Sequence, residues 1–160
     1  MGATPGLHAG AGDTTGRDHT IERSGSFLTV VVLRVLGAAG LLGNGWVHYH
    51  LWDQGYRSIK TIGPLFLLDA IAAVVLAIVV LAAPRRILPL GALAGFLMQV
   101  GTIAALVVTT KRGLFGFTES TKAPDYWESV WVESIGALVL LVLVGYCVSR
   151  MRARTVSRRW

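Results

Sequence analysis

The sequence predicts an all-α membrane protein, a bundle of four transmembrane helices, on the strength of three observations. Of 160 residues, 53% are hydrophobic and only 15% are charged, whereas a typical soluble domain has roughly one quarter charged residues. The apolar residues gather into four runs, each of about 20 residues and long enough to cross a hydrocarbon core of about 30 Å. No run has the polar face of a soluble amphipathic helix, so lipid is the expected solvent.

The chain is expected to form one transmembrane domain, residues 26–149, between two cytoplasmic tails. Residues 1–25 are rich in Gly, Thr and Ala and lack the apolar core of a signal peptide, which predicts a disordered tail. Residues 150–160 form a basic tail. The four predicted helices are about 27–47, 64–83, 87–110 and 129–148. The connection between the second and third is so short that these two must form an antiparallel hairpin.

The basic residues predict the orientation, because Lys and Arg are retained on the cytoplasmic side of a membrane. If both termini are inside, nine Lys and Arg residues lie in the cytoplasm and five lie outside, with Arg34 within a span. Seven aromatic side chains then form a belt at the outer interface: Trp46, Tyr49, Trp52, Tyr56, Tyr126, Trp127 and Trp131. We therefore expect a multi-pass protein of the bacterial cell membrane with the N-terminus and C-terminus in the cytoplasm.

The partners expected from charge are lipids. Five arginines follow the last apolar run and are expected to bind anionic headgroups of the bilayer. Nucleic acid is excluded as a partner, because its binding needs a folded polar surface with a basic stripe. The single cysteine, Cys147, rules out an intrachain disulfide and a Cys-rich metal site.

Three formal charges lie inside the predicted spans: Arg34, Asp69 and Glu133. A charge that faces lipid is costly, so each is expected to turn toward the bundle interior or to an interface. Helical spacing places Gly, Ala or Ser residues beside each of them and beside Gln99, and small residues mark close contact between helices in membranes. Side-chain tilt directs Asp69 and Glu133 toward the outer face of the membrane and Arg34 toward the cytoplasm. An ion pair between Arg34 and Asp69 is therefore disfavoured.

Depth along the helices predicts a polar cluster near the outer membrane boundary. The candidate residues for ligand binding or a proton relay are Asn44, His48, His50, Asp69, Glu133, Asp53, Arg34 and Gln99. A divalent metal ion is one interpretation, with His48, His50, Asp69 and Glu133 as ligands, provided that the loop is extended. Other interpretations are a proton relay, a carboxyl pair that shares one proton, or histidines that hydrogen bond the carboxyls and hold the outer loop to the bundle.

The sequence contains no catalytic signature of the nucleophile-elbow, phosphate-loop, zinc-protease or dinucleotide-binding kind. Its small size and short loops favour a non-enzymatic accessory or subunit of a larger membrane complex, or a homo-oligomer. The alternative is binding or transport of a metal ion, a proton or a small lipophilic ligand at the outer cluster. A third hypothesis is a quinone-linked redox role that involves Arg34 and the aromatic belt.

The segment from His48 to Leu68, HYHLWDQGYRSIKTIGPLFLL, resembles a group of small four-helix integral membrane proteins of actinobacteria. The shared pattern is a histidine, a Leu-Trp or Leu-Tyr pair, Gly-Tyr-Arg, and then Thr-Ile-Gly-Pro-Leu-Phe-Leu-Leu before an acid or amide. The resemblance covers the end of the first helix through the second. It implies the four-helix topology and an actinobacterial source, and it marks the outer loop as the distinctive part of the chain.

Overall fold

The computed structural model describes residues 15–123 and 125–156, which form four long helices. They are α1 (Thr15–Asp53), α2 (Ile62–Ala82), α3 (Leu88–Arg112) and α4 (Tyr126–Val156). Each contains a segment that is long and apolar enough to cross a membrane: Phe27–Asp53, Ile62–Ala82, Leu88–Arg112 and Tyr126–Ala153. The predicted class, an all-α membrane protein with four transmembrane helices, is confirmed.

The first and last helices are longer than the apolar runs that predict them. α1 begins at Thr15 and α4 ends at Val156, so residues 15–25 and 150–156 are helical, although the sequence places them in tails. Once a helix is nucleated, each further residue adds a backbone hydrogen bond, so the apolar segments extend into their polar flanks. The rest of both predicted tails, residues 1–14 and 157–160, lies outside the described residues.

The helices surround the interior in the order α2, α1, α4, α3. α1 packs against α2 and α4, and α3 packs against α4, whereas α2 and α3 have the least contact of these neighbouring pairs. The short turn at residues 83–87 joins α2 to α3, as the sequence predicts, and defines what we call the hairpin end. The α1–α2 and α3–α4 connections lie at the opposite end, the long-loop end. Trp46, Trp127 and Trp131 are each more than 60% exposed near the long-loop end, a position typical of membrane-interface anchors.

The bundle interior is apolar in one half and polar in the other. In the hairpin half, a core cluster draws on all four helices: Ala38, Leu41, Ala77, Val80, Leu88, Ala92, Leu140 and Leu143. Toward the long-loop end, the buried residues include Asn44, Gln99 and Glu133, with exposed fractions of 0%, 0% and 2%. These three polar residues are therefore turned inward, away from lipid, as their cost there requires.

Glycines bring α1 close to its neighbours. A Cβ atom on Gly40 would lie 2.8 Å from the Cα atom of Gly136 on α4. A Cβ atom on Gly45 would lie 3.2 Å from the carbonyl oxygen of Ala70 on α2. Because these neighbours are backbone atoms, they cannot yield as a flexible side chain would, and the small-residue packing of membrane helices explains the choice of glycine.

Arg34 caps the end of α2. Its Nη1 donates to the carbonyl oxygen of Leu81 and its Nη2 to that of Ala83, both at 2.8 Å. The last carbonyls of a helix lack partners within the helix, and a cation is favoured beside them. Arg34 therefore lies at the hairpin end, the direction that side-chain tilt predicts, and is occupied there instead of pairing with Asp69.

We expect Gly40→Ala to lower the free energy of unfolding by about 1–3 kcal/mol, because the added methyl group overpacks the α1–α4 contact. Thermal unfolding followed by circular dichroism in an uncharged detergent measures the change. Gly101→Ala is the matched control, because a Cβ atom on Gly101 has open space around it. Equal stability of the two variants would contradict the close α1–α4 contact.

We expect Arg34→Met to destabilise the protein by about 1.5–3 kcal/mol, because it removes two hydrogen bonds from a charged donor to the end of α2. The same unfolding measurement applies. Arg85→Met, at an exposed arginine of the hairpin turn, is the control and should leave stability nearly unchanged. If both variants lost the same stability, the positive charge at the hairpin end would be responsible, and not the hydrogen bonds of Arg34 to the end of α2.

Candidate functional site

A cavity of about 460 Å³ lies between α2 and α3 in the half of the bundle near the long-loop end. At the hairpin end the two helices touch, where Gly91 packs against Val79. Away from it, Phe66 of α2 and Met98 of α3 form opposite walls. The volume is within the range of small-molecule binding sites. We call this space the α2–α3 cavity.

The α2–α3 cavity opens toward the lipid-facing surface of the bundle. Leu65 and Leu68 line it on the α2 side, and their exposed fractions are 43% and 62%. Gly101 and Ala105 line it on the α3 side and are also exposed. Residues that both line a cavity and are exposed on the surface of the protein mark the mouth of that cavity. The mouth is therefore the gap between the two membrane helices.

A hydrogen-bonded cluster on α1 and α2 forms one polar wall of the cavity. Asn44 Nδ2 donates to Asp69 Oδ2 at 2.8 Å, and His48 Nδ1 lies 3.3 Å from the same oxygen. His48 Nδ1 is also 3.0 Å from the carbonyl oxygen of Asn44, so the geometry assigns the ring proton to Nδ1. The imidazole packs on the ring of Phe66, with 5.0 Å between centroids.

Glu133 on α4 forms a second polar wall. Its exposed fraction is 2%, and its Oε2 has no hydrogen-bond partner among the described residues. The hydroxyl of Thr102 lies near the carboxyl group, and the charge of Asp69 is near enough to act on it. Thr102 also lies 2.9 Å from the carbonyl oxygen of Gln99, to which it donates. The carbonyl oxygen of Met98 is a second acceptor, at 3.3 Å, so the one hydrogen of Thr102 is engaged within α3 and the carboxyl of Glu133 is incompletely satisfied.

The two long loops meet above the cavity at Tyr56. This residue begins a single 3₁₀ turn, Tyr56–Ser58, and its hydroxyl donates to Glu119 Oε2 at 2.6 Å. Its ring stacks on Phe66 at 5.0 Å between centroids and meets the ring of Phe117 edge-on at 5.6 Å. Tyr56 therefore ties the α1–α2 loop to the α3–α4 loop and to α2.

A tight turn places the α3–α4 loop over the cavity. Leu114 and Phe117 exchange two backbone hydrogen bonds, of 2.7 and 2.9 Å. Between them, Phe115 and Gly116 have φ values of 51° and 77°, and a two-residue turn of this kind needs positive φ at both positions. Glycine supplies this conformation at one of them without strain. The turn directs Phe117, and Glu119 beyond it, toward Tyr56.

Burial raises the pKa of Tyr56 above its ordinary value of about 10, and the hydrogen bond to Glu119 raises it further. Both effects favour the neutral phenol over the phenolate. The contact between the loops is therefore preserved across the neutral pH range.

The structure brings three predicted site residues to one cavity, His48, Asp69 and Glu133, and Asn44 joins them through its bond to Asp69. His50 instead stacks on Trp46 at 5.8 Å between centroids.

The other predicted site residues have separate structural contacts. His50 Nε2 is 2.7 Å from Gln54 Nε2. Asp53 pairs with Arg57 at 3.6 Å on the exposed surface. Gln99 is buried at mid-bundle, where its Nε2 donates to the carbonyl oxygen of Gly40 at 3.3 Å. Arg34 caps α2 as described above.

The ligand set of the metal hypothesis, His48, His50, Asp69 and Glu133, is not assembled. α1 continues to Asp53, so the extended loop that the hypothesis requires is helical. On a helix two side chains separated by one residue point about 200° apart. Within the part of the chain that the structure describes, no group of three or more His, Cys, Asp or Glu side chains could hold a metal ion.

Three residues of this site have no counterpart among the predicted site residues: Glu119, Thr102 and Tyr56. The sequence assigns Tyr56 only to the interface belt, and helical spacing places Thr102 on the same face of its helix as Gln99. Contacts between loops follow no periodic pattern, so the pairing of Tyr56 with Glu119 has no signal in one sequence. The polar spacing of Gln99 and Thr102 on α3 was the available signal for Thr102.

Comparisons with protein-family models, with curated proteins and with solved structures found no match for this chain. The function is therefore inferred from the geometry of the α2–α3 cavity.

We expect an alkaline titration of phenolate absorbance to show one tyrosine that ionises well above pH 10, and Tyr56→Phe to remove it. The folded-state pKa lies above the unfolded value of about 10, so the contribution of Tyr56 to stability is complete below pH 10 and is lost as the pH rises further. Glu119→Gln should lower the pKa of Tyr56. Tyr49→Phe is the control, and loss of the late step in that variant would contradict the assignment.

Proposed function

We propose that this multi-pass membrane protein binds a small lipophilic ligand in the α2–α3 cavity. The observation that carries the proposal is the cavity itself, about 460 Å³ between two membrane helices. Apolar side chains such as Leu65, Met98 and Leu106 supply most of its lining, and Asp69 and Glu133 supply polar groups. Binding sites for small molecules have this composition, apolar walls with a few placed polar groups.

The position of the mouth supports entry from the membrane. A ligand dissolved in the bilayer reaches the cavity through the gap between α2 and α3, whereas on the side of the long loops the hydrogen bond between Tyr56 and Glu119 joins the two loops. In the orientation that the basic residues predict, with both termini in the cytoplasm, the cavity lies in the outer half of the membrane. The ligand would then come from the outer leaflet.

The cavity favours the binding hypothesis over the accessory-subunit hypothesis. A subunit that only supports a complex needs a surface for its partner, and an interior cavity with an unsatisfied carboxyl would only reduce its stability. Binding explains both features, because a ligand fills the volume and offers a partner for the carboxyl of Glu133. Polar residues inside a membrane domain have a functional interpretation by default.

We expect Gly101→Phe to block the cavity. Gly101 lines the mouth, and a Cβ atom there meets nothing within 4 Å, so the new ring has room to enter without disturbing the helix packing. The measurement is photolabelling of the purified protein by a neutral phenyl diazirine, with labelled residues located by mass spectrometry. In the wild type, saturable labelling should concentrate on cavity-lining residues of α2 and α3, and Gly101→Phe should abolish it.

Gly145→Phe is the matched control. Gly145 is an exposed glycine on α4, and a Cβ atom there also has open space, but the residue does not line the cavity. This variant should label as the wild type does. Labelling spread evenly over the lipid-facing surface, and unchanged by Gly101→Phe, would show that the cavity takes up no ligand.

A further inference from the structure

We infer that the ligand of the α2–α3 cavity is a lipophilic cation, an amine or ammonium compound whose charged nitrogen binds between Glu133 and Asp69. This inference rests on the proposed function and names the chemical class of the ligand. It follows from the charges that line the cavity, from the unequal pairing of its two buried carboxyls and from the character of its walls.

The lining is acidic although the chain is basic. The sequence has 15 Lys and Arg against 9 Asp and Glu, a net charge of +6. The described residues that line the cavity nevertheless include three carboxyl groups, Asp69, Glu119 and Glu133, and no Lys or Arg. His48 is the one basic side chain among them, and its Nδ1 is occupied by Asp69 and the Asn44 carbonyl. Such a site attracts a cation and repels an anion.

The carboxyls differ in how completely they are paired. Asp69 has the Asn44 amide and the His48 ring as partners, and Glu119 accepts from Tyr56 and from the backbone of Ser120. Glu133 has near it only the hydroxyl of Thr102, which donates to backbone carbonyls of α3, and its Oε2 has no partner within the described residues. A buried acceptor without a donor is costly. An ammonium group carries several N–H donors and would satisfy it.

The proximity of Asp69 to Glu133 strengthens the preference for a cation. The two carboxyls belong to α2 and α4, and both line the same cavity. When both are ionised their charges repel each other, and in a low-dielectric site this repulsion is large. A cation between them replaces repulsion by two attractive interactions. A neutral or anionic ligand of the same shape brings no such relief.

The walls fit the remainder of such a molecule. Phe66 and Phe117 line the cavity, and aromatic faces attract cations as well as apolar groups. The exposed leucines at the mouth, Leu65 and Leu68, contact lipid, so a permeant molecule must be apolar enough to pass them. A compact hydrocarbon body with one amine meets both requirements.

Three probes with one hydrocarbon cage test the inference: 1-aminoadamantane, the neutral 1-adamantanol and the anion 1-adamantanecarboxylate. Each is added at increasing concentration to the wild-type protein in an uncharged detergent at pH 7, and the displacement of the phenyl diazirine from the cavity is measured. The amine should displace the label at a concentration at least about tenfold lower than the alcohol does. The carboxylate should be the weakest competitor and displace the label only at the highest concentration.

Two variants identify the charge that makes the cavity prefer the amine to the alcohol. Glu133→Gln should remove the advantage of the amine over the alcohol, a loss of about tenfold or more, while displacement by the alcohol stays as in the wild type. Glu128→Gln, at an exposed glutamate in the first turn of the same helix, should leave the advantage intact. Retained diazirine labelling in each variant shows that its cavity is intact.

The outcomes distinguish a failure of this inference from a failure of the proposed function. If the cavity labels but the three probes displace equally from the wild-type protein, the ligand is not a cation and only this inference fails. If the amine binds best but equally well to Glu133→Gln, the charge that selects it is not that of Glu133 and the assignment is wrong. If the cavity takes up no label at all, the proposed function itself fails.

Discussion

The close approach of α1 to both of its neighbours is the constraint on which the rest of the structure depends. Gly40 brings the backbone of α1 against Gly136 of α4, and Gly45 brings it against Ala70 of α2. On the other side of the bundle α2 and α3 are in much less contact, because α3 packs mainly on α4. The gap between α2 and α3, and therefore the cavity, is the geometric counterpart of that tight packing.

The interior is divided into an apolar half and a polar half, and this division explains how a gap between α2 and α3 is tolerated. The apolar cluster near the hairpin end joins all four helices, and Arg34 secures the end of α2 there. At the other end Tyr56 and Glu119 connect the two loops. The cavity is thus held between two fixed ends, and its polar groups do not have to hold the helices together. This frees the carboxyl of Glu133 from a purely structural role.

The fold was largely predictable and the site only partly so. Four apolar runs are recognisable one at a time, and inward-facing Asp69 and Glu133 follow from the cost of a charge in lipid. His50 was misleading because the sequence does not show where α1 ends: the helix continues to Asp53 and turns His50 away from His48. The contact between Tyr56 and Glu119 joins loops 63 residues apart, and no period in the sequence relates them.

The order in which the polar partners occur along the chain also bears on how the protein is inserted into the membrane. A membrane protein is synthesised from its N-terminus, and the acid of α2 finds its partners on the helix that precedes it. Asp69 pairs with Asn44 and His48 of α1. α2 can thus leave the translocation machinery against a neighbour that already presents donors to its acid. The order of residues along the chain lets Asp69 enter the bilayer with its hydrogen-bond partners already in place.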